Sequence, residues 1–200
     1  MALRFLTLTS VLFVAGCASR TATTTTTPTE RSARAEKAPI EKPQVDKAQI
    51  DAAQRAWCEA LVAIGAESTR PDGDPVGMAN TVLSTAYNYD AGVVLFKPTL
   101  TSAPQTFRLD KAGALAYFVG GDPVYPNDAG FARKAFSACE AKVVGVVAHG
   151  DMAVAMGNVY LTDSAGKQVI VDKTFGYLRG DDGALRIVLH HSSLPYSPTK

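Results

Sequence analysis

Four β-rich segments follow one another at the end of the chain: Phe136 to Ala148, Met152 to Thr162, Lys167 to Leu178 and Leu185 to Ser192. Only the turn signals His149-Gly150-Asp151, Asp163-Ser164-Ala165-Gly166 and Asp181-Asp182-Gly183 separate them, and connections this short make neighbouring strands antiparallel, as a meander. The stretch before the meander has helical periodicity instead. Asp46-Lys47-Ala48-Gln49 is a capping-box pattern, and Ile50, Ala53, Trp57, Leu61 and Ile64 continue it as one apolar stripe to about Ala66, with Trp57 as core. Asp74-Pro75 opens a second helix whose face Val76, Ala79, Leu83 and Ala86 is expected to run until Gly92. Val93 to Phe96 reads as a short buried strand stopped by Pro98. Leu109 to Val119 reads as a third helix with Asp110 as N-cap and Gly120-Gly121 as its stop.

Helices first and a long antiparallel sheet last is an α+β order in which the curved sheet wraps around the N-terminal helices. That order looks like the cone-shaped fold of the nuclear-transport-factor-2-like superfamily, expected here over residues 47–200. Such a cone serves enzymes, binding proteins and assembly domains alike, so function must come from the residues inside it.

The N-terminal segment reads differently. Arg4, the apolar run Phe5 to Val14 and the small residues Ala15-Gly16 before Cys17 form a charged region, a hydrophobic region and a cleavage site, expected to be a signal peptide over residues 1–16. Val14-Ala15-Gly16-Cys17 looks like a lipobox, which makes the Cys17 thiol the acceptor of a lipid anchor, and Ser19 favours the outer membrane, facing the periplasm. Residues 17–46 carry Thr23 to Thr27, Pro28, Pro39 and Pro43 without apolar periodicity, the composition of an extended tether. Past residue 50 the chain has thirteen basic and fifteen acidic residues, a net −2, without a basic stripe; this gives no support to nucleic-acid binding. Cys58 and Cys139 remain, and sequence leaves open whether they form a bridge or stand as two small buried thiols.

The last strand carries the chemistry. Leu185 to Leu189 is mostly apolar, but His190, His191, Ser192 and Ser193 end it in four polar side chains. Strand alternation puts His190 and Ser192 on one face with Val188, and His191 and Ser193 on the other with Leu189. One His/Ser pair can therefore face a cavity; the alternative is a strand end where hydroxyls and imidazoles meet loop backbone or solvent. Adjacent histidines that point apart do not ligate one metal, the third histidine, His149, falls in a predicted turn, and no HExxH or CxxC accompanies them. The chain has no nucleophile elbow, P-loop or dinucleotide fingerprint either.

Val94-Leu95-Phe96-Lys97-Pro98-Thr99, then Ala116-Tyr117-Phe118-Val119-Gly120-Gly121, Gly130-Phe131-Ala132 and finally His190-His191-Ser192-Ser193-Leu194-Pro195-Tyr196 together resemble the iota class of carbonic anhydrases. The likeness runs from about Trp57 to Tyr196. It implies reversible hydration of CO2 to bicarbonate at a site that works without a metal or other cofactor, and a homodimer. It places substrate-contacting hydroxyls at Thr99, Tyr117 and Ser192, with His190 beside them and His191 and Ser193 as secondary positions. Fixed hydroxyl donors would hold the bicarbonate oxygens while His190 or the Tyr117 phenol handles the proton. The alternatives are a non-catalytic pocket protein of the same fold that binds a small ligand, and an envelope assembly module.

Overall fold

The computed structural model of the chain describes residues 44–198. The expectations for residues 1–43, the signal sequence, Cys17 and most of the tether, lie outside the described residues. Within them the elements are α1 (Lys47–Glu67), α2 (Pro75–Thr85), β1 (Leu95–Lys97), α3 (Lys111–Val119), a short 3-10 turn (Ala132–Lys134), β2 (Ala138–His149), β3 (Met152–Thr162), β4 (Gln168–Arg179) and β5 (Leu185–Ser193). They form one sheet in the order β1-β5-β4-β3-β2.

Local chemistry starts the helices where the sequence indicates. Asp46 accepts from the Gln49 amide at 2.8 Å while the Gln49 side chain accepts from the Asp46 amide at 3.1 Å, the reciprocal capping box. Asp74 and Asp110 cap α2 and α3 one way only, accepting from the Gly77 and Gly113 amides. Gly120, at φ +69°, ends α3, and a side chain there would meet the Asp128 carbonyl oxygen. The Thr/Pro-rich stretch stops short of its expected end: Val45 is buried and its amide donates to the Gly150 carbonyl, anchoring the entry to α1 at the β2–β3 turn.

Three departures from the sequence reading shape the interior. The second helix stops at Thr85 rather than Gly92, because Ala86 and Asn88 pair through their backbones with Ile187 and turn the fully buried Tyr87 inward. β1 joins the otherwise antiparallel sheet in parallel with β5, Phe96 opposite His190 and Lys97 opposite His191. In β5 the alternation breaks at Val188: Tyr177 pairs with Ile187 and Gly176 with Leu189, so Val188 is an extra residue. His190 thus shares the inner face with Ile187, not Val188. Gly176 lets Leu189 approach, since a Cβ there would lie 2.9 Å from that of Leu189.

The core lies between the helices and the inner sheet face. Ile50, Trp57, Leu61 and Ile64 of α1 meet Ala155, Val159, Val171 and Phe175 of the sheet in one apolar cluster. Cys58 and Cys139 form a disulfide, Cα atoms 5.2 Å apart, which settles the open alternative and ties α1 to β2.

Candidate active site

The inner face of β4 presents Val171, Lys173, Phe175 and Tyr177 in alternation, and the inner end of β5 presents His190 and Ser192. Cross-strand register sets Lys173 opposite Ser192 and Phe175 opposite His190. All four side chains are buried. The imidazole is held between rings: Phe96 stacks on it at 4.4 Å between centroids, and Phe175 tilts against it at 4.5 Å.

Hydrogen bonds fix the ring at both nitrogens. Nδ1 lies 2.9 Å from the Tyr87 hydroxyl, which accepts the Trp57 indole N–H at 2.8 Å. Nε2 lies 2.8 Å from Lys173 Nζ and 3.1 Å from Ser192 Oγ, and Lys173 Nζ donates to Ser192 Oγ at 2.6 Å. Trp57 is therefore core, as its stripe indicates, and also the outer end of a polar chain reaching the imidazole. Burial, helped by the neighbouring Lys173 and His191, holds the His190 pKa well below its ordinary value. Burial also pushes Lys173 down to about 7 and Tyr87 well above the usual phenol range, the latter offset in part by the Trp57 N–H.

Thr99 and Tyr117 form a second pair. Burial raises the Tyr117 phenol above its ordinary range, and the Leu100 backbone and Thr99 draw it back only in part, so the group remains a neutral hydrogen-bond donor. Both hydroxyl oxygens are shielded from solvent and neither has a partner in hydrogen-bond geometry. Tyr117 stacks on Phe131 at 5.3 Å and meets Phe96 edge-on at 5.6 Å. Phe96 thus stands between the Thr99/Tyr117 pair and the His190/Ser192 pair, and no hydrogen bond joins the two pairs. Thr99 borders a cavity of about 440 Å³, and Tyr117 an adjoining hollow of about 80 Å³; Leu100, Phe131 and Lys134 wall both.

The secondary positions lie elsewhere. His191 is exposed and Ser193 half-buried, as expected for the opposite face of β5. His149 ends β2 rather than lying in the turn. Among the described residues no three His, Cys, Asp or Glu side chains are placed to hold a metal ion. Lys97, given no role from sequence, donates to the Ser192 carbonyl at 3.1 Å. Sequence reasoning missed Lys173 and Tyr87. Lys173 does leave a signal, a lysine breaking the apolar row Val171, Phe175 and Tyr177 on the inward phase of a strand. Tyr87 leaves none, because the helical stripe extends past it.

An α+β fold that sets two unpartnered hydroxyls on adjoining cavities, with a neutral imidazole and a serine buried behind Phe96, suits a small oxygen-rich molecule. The chain belongs to the metal-independent carbonic anhydrase family, whose model matches residues 48–194. It is 47% identical over 161 residues to the metal-independent carbonic anhydrase of Nostoc sp. (strain PCC 7120), covering 80% of this chain and 78% of that one. It also resembles the crystal structure of a cyanobacterial iota-carbonic anhydrase complexed with bicarbonate: TM-score 0.76 and 46% identity, over 81% of this chain and 99% of that one. The protein is thus a carbonic anhydrase, a lyase of the iota class on an α+β fold.

Proposed function

We propose that Thr99, Tyr117, His190 and Ser192 are the residues at which this protein interconverts CO2 and bicarbonate. The carrying observation is the pair of orphan hydroxyls. A buried hydroxyl without a partner costs about 1–3 kcal/mol, and a bicarbonate oxygen is an acceptor both could satisfy. CO2 itself is apolar and suits the walls of Leu100, Phe131 and Tyr117. As water adds, charge grows on the CO2 oxygens, and fixed Thr99 and Tyr117 donors stabilise it without reorganising, with Ser192 beside them. His190, held neutral between rings, keeps Ser192 in place. In stopped-flow assays, tag-free protein treated with chelator should accelerate CO2 hydration far above buffer; a rate equal to buffer would refute the reading and favour a non-catalytic small-ligand binder.

The setting we infer is a lipid-anchored homodimer at the outer membrane, facing the periplasm. The lipobox ending at Cys17 supports the anchor, and the Cys58–Cys139 disulfide fits an oxidising compartment. Several acyl chains on one residue bind a bilayer almost permanently, since each buried methylene adds about 0.8 kcal/mol. Support for the dimer comes from the outer sheet face, where Val147, Val154 and Met156 are 77%, 44% and 61% exposed on paired strands. Cys17→Ser protein should move from the membrane to the soluble fraction and sediment there as a dimer. Adding Val147→Asp and Met156→Asp should leave monomers, and a dimer unaffected by them would exclude this face.

A further inference from the structure

Hydration of CO2 releases a proton, and the four residues above include no base suited to neutral pH: burial keeps His190 neutral and Tyr117 protonated. We propose that Lys173 is held as a neutral amine and takes, through Ser192, the proton released when water adds to CO2. The inference rests on the carbonic anhydrase reading of the same pocket.

Hydrogen-bond bookkeeping carries the argument. The Trp57 indole N–H can only donate, so the Tyr87 oxygen accepts from it and the Tyr87 hydrogen is directed to His190 Nδ1. An Nδ1 that accepts leaves the imidazole hydrogen on Nε2. Lys173 Nζ lies 2.8 Å from that N–H, where an ammonium would set donor against donor and an amine lone pair accepts. The amine's two hydrogens then have partners: Ser192 Oγ at 2.6 Å and the face of Trp57, whose ring centre is 4.7 Å from Nζ. The opposite tautomer would leave the buried Tyr87 hydrogen with no acceptor.

The surroundings agree. Facing Lys173 are His190 on β5, with His191 behind it, Tyr87 beyond the imidazole, Lys97 from β1 at the Ser192 carbonyl, and Tyr117 across Phe96. On β3 the register partner is Gly157, which has no side chain. None of these is a carboxylate. Asp172, next in sequence, is bonded to Asn158 at 2.7 Å, and among the described residues Lys173 has no ion-pair partner. A buried lysine without a counter-charge gives up its proton.

The step balances. Water oxygen forms the C–O bond to CO2, the π electrons of one C=O pass to its oxygen, the water proton moves to Ser192 Oγ, and the Ser192 proton moves to Lys173 Nζ once the amine rotates its lone pair from Nε2–H to Oγ; the Nε2–H, with the ring unmoved, is then accepted by Ser192 Oγ at 3.1 Å. The products are bicarbonate and a lysine ammonium, which returns its proton through Ser192, its only hydroxyl partner among the described residues, when bicarbonate leaves. Lys173 acts through Ser192, so the readout must be one that packing alone would not move.

Two measurements test this. In wild-type protein the 15Nζ resonance of Lys173 should titrate near pH 7, and a pKa above 10 would overturn the proposal. With Lys173→Met, of similar length and apolar, kcat/KM at pH 8 should fall roughly 10²–10⁴-fold, and the rise of kcat/KM through neutral pH should disappear. A Lys173→Met enzyme that keeps both rate and pH profile would sink the proton-acceptor role while the carbonic anhydrase reading stands. Inactive wild-type protein would sink that reading instead.

Discussion

Ser192→Ala should lower kcat/KM for CO2 hydration by roughly 10²–10³-fold, and Tyr117→Phe should cost a similar factor, because the first removes the hydroxyl beside Lys173 and the second a fixed donor. The magnitude follows from burial. Ser192 is 0% exposed and its Oγ lies 2.6 Å from Lys173 Nζ, so nothing mobile can stand in for it. Tyr117 is 5% exposed and its phenol oxygen has only the loose approach of Thr99 and the Leu100 backbone, outside strict hydrogen-bond geometry, so Phe at that position should lower the melting temperature only slightly. Activity and stability therefore separate in Tyr117→Phe. Steady-state hydration rates and thermal melts on the same preparations check both points, and unchanged rates would remove the two hydroxyls from the mechanism. If the donors act as a unit, the double variant should lose much less than the product of the two single losses.

Asp128→Ala should destabilise the protein by about 3–5 kcal/mol, because it leaves a buried guanidinium without its counter-charge. Arg108 and Asp128 side chains are each 2% exposed. Nε donates to Oδ2 at 2.9 Å and Nη2 to Oδ1 at 2.8 Å, a bidentate pair. Arg108 Nη1 also donates to the Gln105 and Phe107 carbonyls, at 2.7 and 2.9 Å, and its guanidinium lies 4.4 Å from the centre of the Tyr125 ring. The pair thus pins the loop before α3 to the loop after it. For a domain of this size the loss corresponds to a fall in melting temperature on the order of 10 °C. Calorimetry checks it, and a shift within about 2 °C would mean that water or a rearranged loop takes over the charge. Arg108→Met combined with Asp128→Leu should recover much of the loss, since the penalty lies in the unpaired charge. Asp128 also borders the hollow beside Tyr117, so the single variant should lose activity along with stability.

What could be read from the chain alone was local. Capping carboxylates at Asp46, Asp74 and Asp110 act over three residues, the Gly120 stop acts over one turn, and short Asp/Gly turns force the meander, so element order and fold class needed no tertiary information. The inward pair His190 and Ser192 was legible for the same reason, because a strand alternates whatever it packs against. Thr99 and Tyr117 were reached only through a family likeness, since a threonine after a proline and a tyrosine at a helix end are ordinary residues by themselves.

Contacts between distant parts of the chain decided the rest. The second helix yields at Ala86 because Ile187, about a hundred residues later, offers backbone partners that an isolated helix lacks. The bulge at Val188 and the parallel docking of β1 depend on how sheet and helices fit, and the Cys58–Cys139 bridge depends on α1 crossing β2. The protonation state of Lys173 is the clearest case. Its charge is a property of a solvated lysine, and only the assembled fold removes the water, supplies no carboxylate in exchange and surrounds the nitrogen with an imidazole, a hydroxyl and an indole face. Sequence determined which groups the protein has and on which strand face they stand; the tertiary structure decided which of them lost solvent, and with it which would hold the proton.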